Sequence, residues 1–184
     1  DALKLAARSA DRTTWEVRLL PKLADLYVQS FDWGKAREIH RRLAALPAPE
    51  DSEACLRRID LAFKLEEIDA GLRELEGLLE RLEKEGAGEQ AERVIRSLVE
   101  AWPTIAPLQE RAANWYLAQG HTAEAIQVLN TLGEMQLDAG MTEEAVRTIR
   151  TLAALEPEKA GDYQRLLDYL LSSRSSRTGE DQSE

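Results

Sequence analysis

One cysteine, six prolines and ten glycines are spread over 184 residues, and aromatic side chains make up only 5% of them. The solitary Cys55 excludes an internal disulfide framework and any CxxC metal or redox pair, and fits a reducing, cytoplasmic setting. So little Pro and Gly excludes collagen-like and low-complexity chains. No apolar run reaches the roughly 18 residues that a membrane-spanning helix needs, so membrane insertion is not expected. Asp1-Ala2-Leu3-Lys4 does not open a signal peptide. Asp in place of Met at position 1 reads as a processed or cut start. Basic residues are also in deficit, 24 Lys and Arg against 34 Asp and Glu, for a formal charge of −10. Such a field repels phosphate backbones and anionic lipid, so nucleic acid is not expected as a direct partner.

Catalytic signatures are missing as well. There is no GxxxxGK[ST] loop, HExxH, GxSxG or EF-hand pattern. The acidic pairs Glu66-Glu67 and Glu143-Glu144, and Glu83-Lys84-Glu85, read as solvated helix faces and ends that complement the helix dipole. His40 falls on an apolar helix face and reads as a packing residue, and His121 after Gly120 reads as exposed or capping. Two histidines without a paired motif do not make a metal site. The expectation is no enzyme activity, no catalytic residue, no metal and no cofactor. Cys55 reads as a small buried apolar residue. Trp15, Trp33, Trp102 and Trp115 read first as packing residues, with Trp33 and Trp102 at turns and partly exposed.

What the chain has in abundance is helical periodicity, with no alternating strand pattern beside a hairpin turn. Thr13-Thr14-Trp15-Glu16 reads as a capping box before Leu19, Leu20, Leu23, Leu26 and Tyr27, with Pro21 implying a kink or a late start. A second helix carries Ala36, Ile39, Leu43 and Leu46 and stops at Pro47-Ala48-Pro49. Further helices are expected near 52–66, 68–85, 88–102, 105–119, 122–139, 142–155 and 158–172. Gly86, Gly120 and Gly140 stand where a helix end requires a left-handed residue, and Thr104 and Thr142 where an N-cap hydroxyl is wanted. Residues 1–12 read as an extension or the end of an earlier repeat, 13–172 as the helical domain, and the Ser/Arg/Glu-rich 173–184 as a disordered tail.

Residues 51–104 align with 105–158 without gaps at an offset of 54. Gly86 falls on Gly140, Ala91 on Ala145, Ile95 on Ile149, Leu98 on Leu152, Pro103 on Pro157, and Leu75 and Leu78 on Leu129 and Leu132. Identities concentrated at a turn glycine, a small helix residue, an apolar stripe and a terminating proline mark an internal repeat of three helices.

Within it the chain resembles the tetratricopeptide-repeat family, in a divergent, bacterial-type form. That motif is a roughly 34-residue helical pair with a small residue in each helix, an aromatic late in the first and a proline after the second. Leu23-Ala24, Tyr27 and Ala36 match it in a copy from about 17 to 50, where His40 replaces the usual aromatic and Pro47 falls one residue early. Ala113, Tyr116, Gly120 and Ala125 match it in a copy from about 106 to 139, Gly86, Ala91 and Pro103 in one from 72 to 105, and Gly140, Ala145 and Pro157 in one from 126 to 159. Residues 126–138 serve two copies at once, so the 54-residue period describes the array better than strict pairs. The resemblance implies an all-α fold, a right-handed α-solenoid of about nine antiparallel helices. Its alanines would sit where helix axes approach to about 8–10 Å.

The resemblance further implies a non-catalytic scaffold or adaptor that binds a peptide or helical segment of another protein on its curved face. The matching outward positions are Arg18, Lys22 and Asp25, Glu110, Arg111 and Asn114, and Asn130 and Glu134, with Gln29, Glu76 and Glu80 in the same register. This mixture lacks the repeated basic and amide residues with which chaperone-associated members clamp a C-terminal carboxylate, and favours a partner of some basic character. The alternative is a regulatory or oligomerisation region of a larger signalling enzyme or transcriptional regulator. Homo-oligomerisation through the N-terminal edge of the array is a further expectation, because terminal repeats expose apolar surface unless capped. The helix near 158–172, with Tyr163, Leu166, Leu167 and Leu170 on one stripe, reads as the C-terminal cap.

Overall fold

In the computed structural model the backbone is described for residues 12–46 and 51–180, and side chains for 19–46 and 51–172. Among these residues the protein is all-helical, without strands. The helices are α1 (Arg12–Gln29), α2 (Trp33–Ala44), α3 (Ser52–Lys64), α4 (Ile68–Lys84), α5 (Gly88–Ala101), α6 (Ala106–Ala118), α7 (Thr122–Asp138), α8 (Thr142–Leu155) and α9 (Ala160–Glu180), with a 3₁₀ turn at Pro157–Lys159. Helix α1 runs from Arg12 through the buried Pro21, so of the two consequences expected of that proline, a kink or a late start, the late start does not hold. The proposed capping box at Thr13 and the Pro47-Ala48-Pro49 stop lie outside the described side chains and residues. Helix α9 continues past the expected bound at 172 to Glu180, and 181–184 lie outside the described residues.

The chain divides into two compact units, 1–94 and 95–184. In the first, α1 packs on α2 and α3, and α3 on α4. One core there gathers Leu20, Ala24, Ala36, Ile39, Leu43, Leu61 and Leu65. In the second, α6 packs on α7, α7 on α8, and α8 on α9. Val146 and Ile149 of α8 meet Leu167 and Leu170 of α9. Leu166 leaves the expected apolar stripe of α9 and is 37% exposed.

Short turns join the helices in one recurring way. The N–H groups of Asp32, Glu67, Ala87, His121 and Met141 bond to the carbonyls of Tyr27, Ala62, Leu82, Tyr116 and Gln136, each five residues back, at 2.8–2.9 Å. This is the Schellman closure, which satisfies orphan carbonyls and requires a left-handed residue just before the bonded N–H. Gly86, Gly120 and Gly140 supply it at φ of 69°, 78° and 70°. The other two positions are Phe31 and Glu66, at 57° and 61°, where a side chain makes that conformation costly.

The capping residues differ from expectation. The Asp32 carboxylate accepts from the Lys35 N–H, and that of Asp51 from the N–H groups of Glu53 and Ala54. Thr104 and Thr142 do not cap: Ile105 and Met141 hold those positions without a side-chain bond. Thr142 lies one residue inside α8 and turns its hydroxyl to the Gly140 carbonyl.

Candidate interaction surface

The buried positions follow the 54-residue offset closely. Helices α3, α4 and α5 begin and end at residues which, advanced by 54, are the ends of α6, α7 and α8. Gly71 and Ala125, Leu75 and Leu129, Leu78 and Leu132, Ala91 and Ala145, Ile95 and Ile149, and Leu98 and Leu152 are buried at both members of each pair. Ala24, Ala36, Ala91, Ala125 and Ala145 are wholly buried, and Ala113 nearly so. Tyr116 is buried, Tyr27 half-buried, Pro103 exposed, and Pro157 opens the 3₁₀ turn.

The same offset also pairs apolar positions with buried polar ones that sequence reasoning missed. Gln109, wholly buried on α6, donates from Nε2 to the carbonyls of Trp102 and Pro103 at 3.3 and 3.2 Å and so ties the α5–α6 turn to the helix that follows it. Its counterpart is Cys55, buried beside Arg81, whose Nη2 lies 3.6 Å from Sγ; burial pushes the thiol pKa up. Arg58, three residues on, is buried and bonded to Glu74 across the α3–α4 interface. Gln136 and Thr148 make a buried bond between α7 and α8 at 2.7 Å. His40 is a packing residue, 2% exposed, with Nδ1 2.6 Å from the Glu67 carboxylate. His121 is half-buried and stacks on Tyr116 at a ring separation of 6.2 Å.

At the α8–α9 joint, Lys159 donates to Glu156 at 2.5 Å and the Tyr163 hydroxyl bonds to the other carboxylate oxygen. These bonds hold the Glu156 carboxyl below the ordinary carboxylate range, Lys159 first and Tyr163 second. Burial, then the bond to Glu156, pushes the Tyr163 phenol up to about 12.

The expected partner-facing residues stand at the surface where their side chains are described. Glu110, Arg111 and Asn114 share the exposed face of α6, opposite the buried Leu108, Gln109, Ala112, Ala113 and Tyr116. Asn130 and Glu134 lie one turn apart on the exposed face of α7. Lys22 is exposed and Asp25 half-buried on α1, Gln29 and Glu80 are exposed, and Glu76 is half-buried. The side chain of Arg18 lies outside the described ones.

A concavity in the second compact unit lies elsewhere. A groove of about 250 Å³ runs between the C-terminal half of α5 and α7, with Val99, Tyr116 and Val128 among its lining and Arg96, Glu100 and Glu124 beside them. It includes none of Glu110, Arg111, Asn114, Asn130 or Glu134. No protein-family model matches the chain, and the search of curated proteins found no match. The reading of the surface therefore rests on its own chemistry.

That chemistry is acidic in a particular way. Between Arg111 and Arg147 there is no lysine or arginine, while Glu124, Glu134, Asp138, Glu143 and Glu144 are present. Three carboxylates on other helices have a cation one turn away: Glu53 with Arg57, Asp60 with Lys64 and Glu38 with Arg41. Among the described residues Glu124, Glu134 and Asp138 have no such ion pair.

Proposed function

We propose that this protein is a non-catalytic interaction scaffold: a tetratricopeptide-like helical array, right-handed in its solenoid path, that binds a peptide or helical segment of another protein. The observation that carries this reading is the register. Six helix bounds, the buried small residues and the left-handed turns recur at one spacing, as in arrays built from a stacked supersecondary unit. Arrays of that kind present continuous side-chain rows on an exposed surface, and the exposed Glu110, Arg111 and Asn114 of α6 supply charge and an amide capable of holding an extended backbone. An acidic chain favours partners of basic character, chiefly through association rate and specificity.

The test is capture of a native partner by the full chain at low and moderate salt, with quantitative mass spectrometry of what is retained. A recurrent protein whose recovery falls at least tenfold with Arg111→Ala plus Asn114→Ala supports the reading and places the α6 face. Retention of the bait alone overturns it.

A second reading, that the chain is an oligomerisation or regulatory region of a larger protein, is favoured by one observation. Apart from Met141, the exposed large apolar residues among the described ones lie on the first and last helices or at the α1–α2 turn: Leu19, Leu26, Phe31 and Trp33, and Leu166, Tyr169 and Leu171. Terminal elements of a stack expose such residues when a further element or a second copy is meant to cover them. Concentration-dependent mass in light scattering, abolished by Leu26→Lys or by Tyr169→Lys, is the expected signature.

A further inference from the structure

We propose that the groove between α5 and α7 docks a short cationic segment of a partner protein that carries a single aliphatic anchor. This inference rests on the protein-binding reading above but assigns a different surface and a definite chemistry. The groove holds about 250 Å³, below the range of roughly 300–1,000 Å³ that small-molecule sites occupy, and suited to one or two side chains. Val99 and Val128 give it apolar walls, and the buried Tyr116 ring forms part of its lining, so the group that fills it is aliphatic.

The surround sets the sign of the partner. Glu100 and Glu124 line the groove, and α7 carries no cation along its length; its Glu134 and Asp138 extend the acidic field toward its C-terminus. Arg96 is the one cation in the lining, against the two carboxylates of Glu100 and Glu124. A segment with Lys or Arg on each side of a Leu, Ile or Met therefore matches both the walls and the field.

The lining differs between the two blocks of the repeat. Fifty-four residues earlier, the positions of Glu124, Gln127, Val128 and Thr131 are held by Ala70, Arg73, Glu74 and Gly77, and Glu74 is already committed to Arg58. At these four positions the first block lacks the glutamate and valine of the groove, and its own concavity, lined by Glu66, Glu67, Ile68, Asp69, Ala70 and Arg73, is built differently, so this pairing of valine walls with acidic groups is not carried over by the repeat.

The test is selection of 12-residue peptides from a random phage-displayed library on the full chain, followed by titration of the enriched synthetic peptides. Enrichment of peptides with Lys or Arg flanking an aliphatic residue is expected, with one-to-one stoichiometry and affinity that falls as salt rises. Glu100→Lys and Gln127→Lys, both at exposed positions and checked for unchanged helicity by circular dichroism, should each weaken binding at least tenfold. Glu158→Lys, a similar charge change away from the groove, should weaken it less than threefold. Equal loss in all three variants would mean attraction by net charge alone and would overturn the groove. Loss confined to Arg111→Ala plus Asn114→Ala would also overturn it while leaving the protein-binding reading intact. Enrichment of acidic peptides, or of none, overturns the groove as well, and the native-partner capture then judges the broader reading separately.

Discussion

Gly71 on α4 faces the Phe63 ring on α3 so closely that a methyl group at 71 would overlap ring carbons Cε1 and Cδ1. Phe63 is buried, so the ring has no room to withdraw. Alanine is intrinsically the better helix former by about 1 kcal/mol, but overpacking of a core costs roughly 1–3 kcal/mol and opposes it. Gly71→Ala is expected to lower the urea midpoint. Gly77→Ala, on the same helix with nothing within 4 Å, should raise it by about the propensity difference, so the pair separates packing from helix propensity. A raised midpoint for Gly71→Ala would refute the close approach.

Glu66 adopts the left-handed conformation that Gly120 takes at the corresponding position of the next block. A left-handed L-residue costs roughly 1–2 kcal/mol, part of which glycine returns as unfolded-state entropy. Glu66→Gly should therefore stabilise the protein by about 1 kcal/mol, whereas Gly120→Ala should destabilise it by a similar amount. Chemical denaturation of both variants checks the assignment, and destabilisation by Glu66→Gly would count against it.

Ala145 is wholly buried on α8, as is Ala91 on α5. Ala145→Leu or Ala91→Leu is expected to cost roughly 1–3 kcal/mol, read as a lower urea midpoint at unchanged slope. An unchanged midpoint would show that these alanines do not hold closely packed surfaces.

Glu156, Lys159 and Tyr163 make a joint whose stability has two pH limits. The carboxyl pKa is lowered on folding, so its contribution is present above the unfolded carboxylate pKa and is lost as pH falls through the folded one. The phenol and the ammonium are raised, so theirs are full below the unfolded values of 10.0 and 10.5 and are lost as pH rises through the folded ones. Absorbance titration of phenolate, with Tyr163→Phe as the difference, should place this tyrosine near 12. Glu156→Gln should bring it partway back toward 10; burial, the larger cause, remains. A Tyr163 titration that Glu156→Gln does not move would argue against the bond.

The buried Cys55 thiol, with its pKa raised by burial, should react with a disulfide reagent more than tenfold slower in native protein than in denaturant. Equal rates would mean that the α3–α4 interface opens freely.

Much of this arrangement was legible in residue order, because helical period, turn glycines and small packing residues are local signals. Among the described residues, helices α3 to α8 lie close to the bounds expected from apolar spacing, and Gly86, Gly120 and Gly140 take the backbone that only glycine adopts cheaply. The offset of 54 was visible because packing constrains both copies at the same buried positions. Other features had no local sign. Glu66 and Phe31 look like ordinary loop residues, and only the helices that flank them force their backbone to a positive φ. Gln109 and Arg58 are polar by composition and buried by position, each held by a hydrogen bond to another element: Gln109 to the turn before its helix and Arg58 to Glu74 on α4. Gly71 reads as a helix weakness until Phe63 is placed against it. The groove combines residues of α5, α6 and α7, and only folding brings Val99 and Glu100 beside Tyr116, Glu124 and Val128. Sequence by itself determined which segments are helical and where they turn, through interactions within five residues; tertiary structure decided which polar groups are buried and which faces meet, because those depend on residues brought together only by folding.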